Sequence, residues 1–257
     1  MKIRVIVSLV VLVVISLHAF GQAKKQPSRT ESKPVVKTEA SQTEPQVNLK
    51  KEELSSLSTH FYNKYVTALQ WNDYDVAKDA LYDLIVENPQ NDSLIFNLAY
   101  YYYENQKHVS AVLVCQQILK TNPKNATALE ISAVGYETMG VPDRALQSYE
   151  SLYLLTNNIG SLYKMAFLQS DLKRFTESLT SIDILLSNKD IETAKVVFND
   201  AENKPKQYAM KVSILNLKGL IQEEHFGDKI AAKKTYQEAL AIAPDFGPAK
   251  HNLDKLK

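Results

Sequence analysis

The feature that most constrains the fold of this chain is a recurrence at 34 residues. The run Glu87-Asn88-Pro89-Gln90-Asn91-Asp92 returns as Thr121-Asn122-Pro123-Lys124-Asn125-Ala126. The same shift carries Ala77 onto Ala111 and then Ala145, and Leu81 onto Cys115 and Tyr149; a shift of 33 carries Ala145 onto Ser178. A small residue followed one helical turn later by a larger one is what two closely crossing antiparallel helices require. Composition agrees, because only 7 glycines in 257 residues leave little of the material from which turns, hairpins and bulges are built.

A period of 34 with these residues resembles the tetratricopeptide repeat (TPR) family, and the resemblance covers about four fifths of the chain. The family pattern has a small residue at its eighth and twentieth positions, a large one at the eleventh and twenty-fourth, and proline at the thirty-second. The first unit, 58–91, has Tyr65 where a small residue is usual, then Tyr74, Ala77, Leu81, Leu84 and Pro89. The second, 92–125, matches better with Leu98, Ala99, Tyr102, Ala111, Ile118 and Pro123. The third, 126–158, has Ala133, Tyr136, Ala145, Tyr149 and Leu152, with Asn157 in place of the proline. The fourth, 159–190, has Ala166, Phe175, Ser178, Ile182 and Leu185, and a fifth over 209–244 has Gly219, Ala232, Tyr236, Ala239 and Pro244. The resemblance implies an all-α TPR solenoid of about five helix-turn-helix repeats within 53–257, ended by a capping helix over 246–256 with Ala249, Leu253 and Leu256 on its apolar side.

The register slips by 20 residues between Ser178 and Ala232, and most of the excess falls at 191–208. There Val196, Val197 and Phe198 precede a turn-forming run from Asn199 to Pro205 and then Gln207-Tyr208. This pattern predicts a small β-hairpin or ordered loop projecting from the solenoid. A tolerated surface insertion is one account of it. A docking element built on Val196, Val197, Phe198 and Tyr208 is the other, since an apolar run on a loop must pack on the array or on a partner.

Ahead of the repeats, Lys2 and Arg4 precede an apolar run from Val5 to Leu17, followed by His18-Ala19-Phe20-Gly21-Gln22-Ala23. Residues 1–23 therefore read as a secretory signal peptide cleaved after Gly21 or Ala23. The thirteen-residue core is short of the roughly 20 apolar residues that span a bilayer, the alternative being an uncleaved anchor. A lipoprotein is not expected, because the single cysteine, Cys115, does not follow the apolar run and offers no intrachain disulfide. Residues 24–52, rich in Lys, Glu, Ser, Thr, Gln and Pro, cannot bury enough surface to order themselves and are expected to form a disordered linker. Without the leader the chain has 28 basic against 29 acidic residues, so no electrostatic case for nucleic acid exists.

No HExxH, CxxC or GxxxxGK[ST] motif occurs, and none of the five histidines pairs with another at ligand spacing. Catalytic residues, metal and cofactor are accordingly not expected. Cys115 occupies a packing position and reads as a small buried filler. The positive functional signal lies on the first helix of each unit, which stacking turns toward a concave surface. The family's groove positions fall on Tyr62, Val66 and Leu69, then Phe96, Tyr100 and Tyr103, then Glu130, Val134 and Glu137, and finally Tyr163 and Phe167. They describe an aromatic groove with an acidic patch near its middle, suited to neutral or basic, apolar-rich segments. Some of these aromatics could equally pack between neighbouring first helices. In the run Tyr100-Tyr101-Tyr102-Tyr103, four consecutive helical residues face all directions, so at least one or two must be presented outward. The family's lysine and asparagine clamp for a C-terminal carboxylate is not matched, since Tyr62 and Val66 stand where it would begin.

The expected function is an exported scaffold or adaptor that binds a protein or peptide partner in the periplasm or cell envelope. The AFGQA ending of the leader and NLKGL before the last repeat resemble exported TPR proteins of Bacteroidetes-type, Gram-negative bacteria. A self-associating structural component of an envelope assembly is the alternative. An enzyme with an unrecognised site is a third class, for which no nucleophile and base can be named.

Overall fold

The computed structural model describes residues 56–200 and 204–256. The expected leader and linker lie outside the described residues. Ten helices form five antiparallel pairs: α1 (Ser56–Gln70) with α2 (Tyr74–Glu87), α3 (Asp92–Glu104) with α4 (His108–Thr121), and α5 (Ala126–Thr138) with α6 (Pro142–Thr156). The fourth pair is α7 (Ile159–Asp171) with α8 (Phe175–Ser187), the fifth α9 (Met210–Glu224) with α10 (Lys229–Ile242), and α11 (Gly247–Lys255) closes the array. Each helix packs on its pair mate and on the next helix in the chain, the nearest-neighbour contact pattern of a solenoid. Among the described residues no helix is long and apolar enough to cross a membrane.

The sequence repeat explains this geometry residue by residue. The second helices of the first four pairs begin at Tyr74, His108, Pro142 and Phe175, intervals of 34, 34 and 33. The small residues Ala77, Ala111, Ala145, Ser178 and Ala232 are buried where the helices cross, with Leu81, Cys115, Tyr149, Ile182 and Tyr236 buried one turn on. Where serine replaces alanine, Ser178 Oγ donates to the carbonyl of Ala166 at 2.7 Å, so the added hydroxyl is satisfied.

The polar half of the motif builds the connections. In Asn88-Pro89-Gln90-Asn91 and Asn122-Pro123-Lys124-Asn125, the first asparagine ends a second helix and the last caps the helix that follows. Asn91 Oδ1 accepts from Ser93 N at 3.1 Å and Asn125 Oδ1 from Ala128 N at 2.9 Å, each satisfying an amide that the helix start leaves without a partner. In the third unit Asn157 takes a left-handed conformation (φ 52°) in place of the proline, and Asn158 caps α7, which shortens that connection. The tight turns inside the pairs repeat as well. Asn72, Gln106, Gly140 and Lys173, at the same step of successive units, all adopt φ between 56° and 70°.

The insertion between α8 and α9 is a 3₁₀ turn, Lys189–Glu192, followed by a hairpin of β1 (Lys195–Asn199) and β2 (Pro205–Ala209), with Val196 opposite Tyr208 and Phe198 opposite Lys206. The hairpin does not project freely. Val196, Phe198 and Tyr208 are buried, and the rings of Phe198 and Tyr208 each make a T-shaped contact with Phe246 at a centroid distance of 5.0 Å. Tyr208 OH donates to Asp245 Oδ2 at 3.2 Å and Lys206 pairs with the same carboxylate. The inserted apolar residues therefore seal the loop between α10 and α11 instead of standing out for a partner. Only Val197 of that set is partly accessible.

Candidate functional site

Among the first helices α3 packs on α5 and α7 on α9, whereas no two second helices pack comparably among the described residues. Closer spacing on one side of a stack makes that side the inner side of the curve. The expected groove positions lie on the first helices α1, α3, α5 and α7.

On α3 the four tyrosines divide their work. Tyr101 OH donates to Asp75 Oδ1 at 3.3 Å with Lys78 Nζ 5.7 Å from its ring centroid, and Tyr102 OH lies 2.6 Å from Tyr82 OH. Both partners belong to α2, so Tyr101 and Tyr102 tie the first pair to the second. Burial and the Tyr82 hydrogen bond push the Tyr102 phenol up to about 12. Tyr100 and Tyr103 are half-buried, as are Phe96 on the same helix and Tyr62 and Val66 on α1, while Leu69 is exposed.

On α5 the two carboxylates differ. Glu137 Oε1 accepts from Lys164 Nζ at 2.7 Å and its Oε2 accepts from Tyr149 OH at 2.9 Å. Its charge is thus compensated by a lysine of the next first helix, a partner that the groove positions alone do not include. The signal was present, since Lys164 follows a groove position directly. Glu130 has no such partner, and burial raises its carboxyl above the ordinary range. Between them Val134 is half-buried.

On α7 the expectation for Tyr163 needs correction. Its side chain is 0% exposed, receives a hydrogen bond from Ser213 Oγ at 3.1 Å and lies 4.8 Å from the Phe167 ring. Because α9 packs against α7 after the inserted hairpin, Tyr163 is core, and Phe167 beside it is half-buried against the same cluster. Cys115 is fully buried and its thiol is pushed up to about 12 by burial, which makes it a poor nucleophile. Among the described residues no three His, Cys, Asp or Glu side chains converge as metal ligands would.

The architecture is that of a TPR solenoid. Residues 212–246, the fifth pair, match the family model described as tetratricopeptide repeat. Solved structures agree at the level of fold: a TPR protein from Parabacteroides merdae ATCC 43184 superposes with a TM-score of 0.56 at 17% identity, covering 79% of this chain and 73% of that one. YrrB, described as a TPR protein with an unusual peptide-binding site, gives 0.58 at 11% identity over 76% and 90% of the two chains. MamA gives 0.55 at 14% identity over 74% and 94%. No curated protein sequence matches the chain.

Proposed function

We propose that this protein is a non-catalytic, exported adaptor of a Gram-negative cell envelope, and that it holds a segment of a protein partner against the inner wall of its solenoid. The observation that supports the reading best is the apolar and aromatic surface left part-accessible along the first helices: Phe96, Tyr100 and Tyr103 on α3, Val134 on α5 and Phe167 on α7 are all half-buried. Rigid aromatic side chains in such a place give large contact area for little loss of rotamer freedom. The unusual peptide-binding site ascribed to YrrB is consistent with this use of the fold. Export rests on the basic start, the apolar run and the small residues that follow it in 1–23.

The test has two parts. Fractionation with mass spectrometry of the purified chain should find it in the envelope with Gln22 or Lys24 as its first residue; recovery in the cytoplasmic fraction would overturn export, an intact Met1 terminus on envelope protein would mean a retained anchor, and either leaves the groove untouched. Envelope extracts should yield a partner that Tyr100→Ala with Val134→Ala no longer retains. Neither residue belongs to a buried cluster, so circular dichroism should show the double variant folded. A partner retained equally by that variant would place binding elsewhere on the molecule.

A further inference from the structure

The joint between the second and third units departs from the repeat in one respect. At the joint before it, Leu98 of α3 belongs to a buried cluster against which Ile85, Tyr102 and Val114 pack, and Tyr82 OH lies 2.6 Å from Tyr102 OH. Thirty-four residues on, Tyr82 becomes Gln116, Leu98 becomes Ser132 and Val114 becomes Ser148, while Ile85 and Tyr102 keep their bulk as Leu119 and Tyr136. Three apolar or aromatic side chains thus give way to smaller polar ones. All five of the replacing residues line a cavity of about 220 Å³ formed by α4, α5 and α6. One unit further on the same place is packed differently: the residue in step with Ser132 is the buried Met165, and Ser181 Oγ, in step with Ser148, donates to Gln169 Oε1 at 2.8 Å.

The polar groups of the cavity are donors in want of an acceptor. Ser132 is 1% exposed, and its Oγ has no hydrogen-bond partner among the described residues. The neighbouring Cys115 thiol, a weak donor, does not reach it with hydrogen-bond geometry. Such a hydroxyl carries the desolvation penalty of an unmade bond. Tyr136 OH accepts from Gln116 Nε2, which leaves its own proton to donate. Arg144, exposed at the rim, is met by Gln147 Oε1 at 3.5 Å and by no carboxylate among the described residues. No aspartate or glutamate lines the cavity, and Leu119 and Leu129 give it apolar walls.

We infer that this cavity is a binding site, separate from the first-helix groove, for a carboxylate carried on a benzene-sized apolar group, whether a free organic acid or the last residue of a chain. The Arg144 guanidinium supplies the cation and a planar pair of donors that matches a carboxylate. The Ser132 and Tyr136 hydroxyls supply further donors, and the two leucines cover the hydrocarbon. Size agrees, because a cavity of about 150 Å³ already holds benzene. A single arginine beside apolar walls suits a monocarboxylate better than a phosphate, which is more heavily charged and more strongly hydrated. The inference does not depend on the groove, since the cavity opens between the second helices α4 and α6.

The experiment titrates the full chain without its leader, by calorimetry, with 3-phenylpropionate and with an acetylated tetrapeptide ending in phenylalanine, each beside its neutral amide. At least one of the two acids should bind saturably and at least tenfold more tightly than its amide. Tighter binding of the peptide acid would identify a chain terminus as the source of the carboxylate, and equal or tighter binding of 3-phenylpropionate a free acid. Ser132→Met places in the third unit the side chain that the fourth already buries, so it should abolish binding and melt at the parent's temperature or higher. Arg144→Gln, at an exposed position, should weaken binding at least tenfold and leave melting unchanged, whereas Tyr100→Ala in the groove should alter neither. The inference is overturned if neither acid binds, if the amides bind as well as the acids, or if binding survives Ser132→Met or Arg144→Gln. A Ser132→Met protein that melts below its parent would overturn it too, because the cavity would then have no room for the added side chain.

Discussion

Gly219 offers the sharpest test of the packing, because two physical effects predict opposite signs. It lies inside α9, where glycine is about 1 kcal/mol less favourable than alanine, so Gly219→Ala would stabilise an isolated helix. In the array, an alanine Cβ would stand 2.4, 2.7 and 2.9 Å from Cε1, Cδ1 and Cζ of Tyr236. Ordinary carbon contacts lie near ~3.5–4.0 Å. Tyr236 is 0% exposed and its hydroxyl is tied to Glu223 at 2.9 Å, so the ring cannot swing away without giving up that bond. Overpacking of this kind costs about 1–3 kcal/mol, and a displaced hydrogen bond to a charged acceptor about 1.5–3 more. Set against the helix gain, the net effect should be a loss of about 3 kcal/mol, or roughly 6–12 °C in melting temperature for an array of this size. Melting followed by circular dichroism measures the total, and amide exchange in α9 and α10 measures it locally, which matters because repeat arrays can open in parts. Tyr236→Leu in the Gly219→Ala background should recover part of the loss. A Gly219→Ala protein more stable than its parent would refute the close approach of α9 to Tyr236.

Other expectations follow from the same repeat. Gln106→Gly and Lys173→Gly should each stabilise the array by up to about 1 kcal/mol in urea unfolding, since both non-glycine residues occupy left-handed turns, whereas Gly140→Ala at the equivalent step should cost about 1 kcal/mol. Asn125→Ala removes the cap on Ala128 N and should lower stability by about 1 kcal/mol, with faster amide exchange confined to the first turn of α5. Phe246→Ala should cost about 3–5 kcal/mol and release the hairpin, seen as loss of amide protection over 195–199 and 205–209, because both Phe198 and Tyr208 rest on that ring. For Glu130 the raised carboxyl sets the sign of a pH effect. Its contribution to stability is complete below the unfolded value near 4.5 and is lost as pH rises through the higher folded value, so Glu130→Gln should flatten that part of the curve.

Part of the candidate site was legible in advance. Family positions place Tyr62, Val66, Phe96, Tyr100, Tyr103, Glu130, Val134 and Glu137 on first helices, where each is half-buried, because which side of a helix points away from its mate follows from spacing alone. The same positions misplaced Tyr163 and left Lys164 out. Tyr163 is covered by Ser213 on α9, which lies 50 residues further along the chain and reaches it only after an insertion that interrupts the repeat. Likewise Val196, Phe198 and Tyr208 look like an exposed apolar loop until Phe246, far ahead in sequence, is brought underneath them.

What the sequence determined by itself is everything set by neighbours within one period. The 34-residue recurrence, the small residues at the crossings and the asparagines at the joints specify paired helices, their register and their caps, since each involves contacts only within a unit or to the next. Tertiary structure alone decided which groups on those helices are spent. Tyr101 and Tyr102 went to α2, Tyr163 went to α9, the hairpin went to Phe246, and Glu137 found Lys164 while Glu130 found no described partner. Period and pattern place a side chain on a face; whether that face is covered depends on segments whose distance along the chain leaves no trace in local spacing.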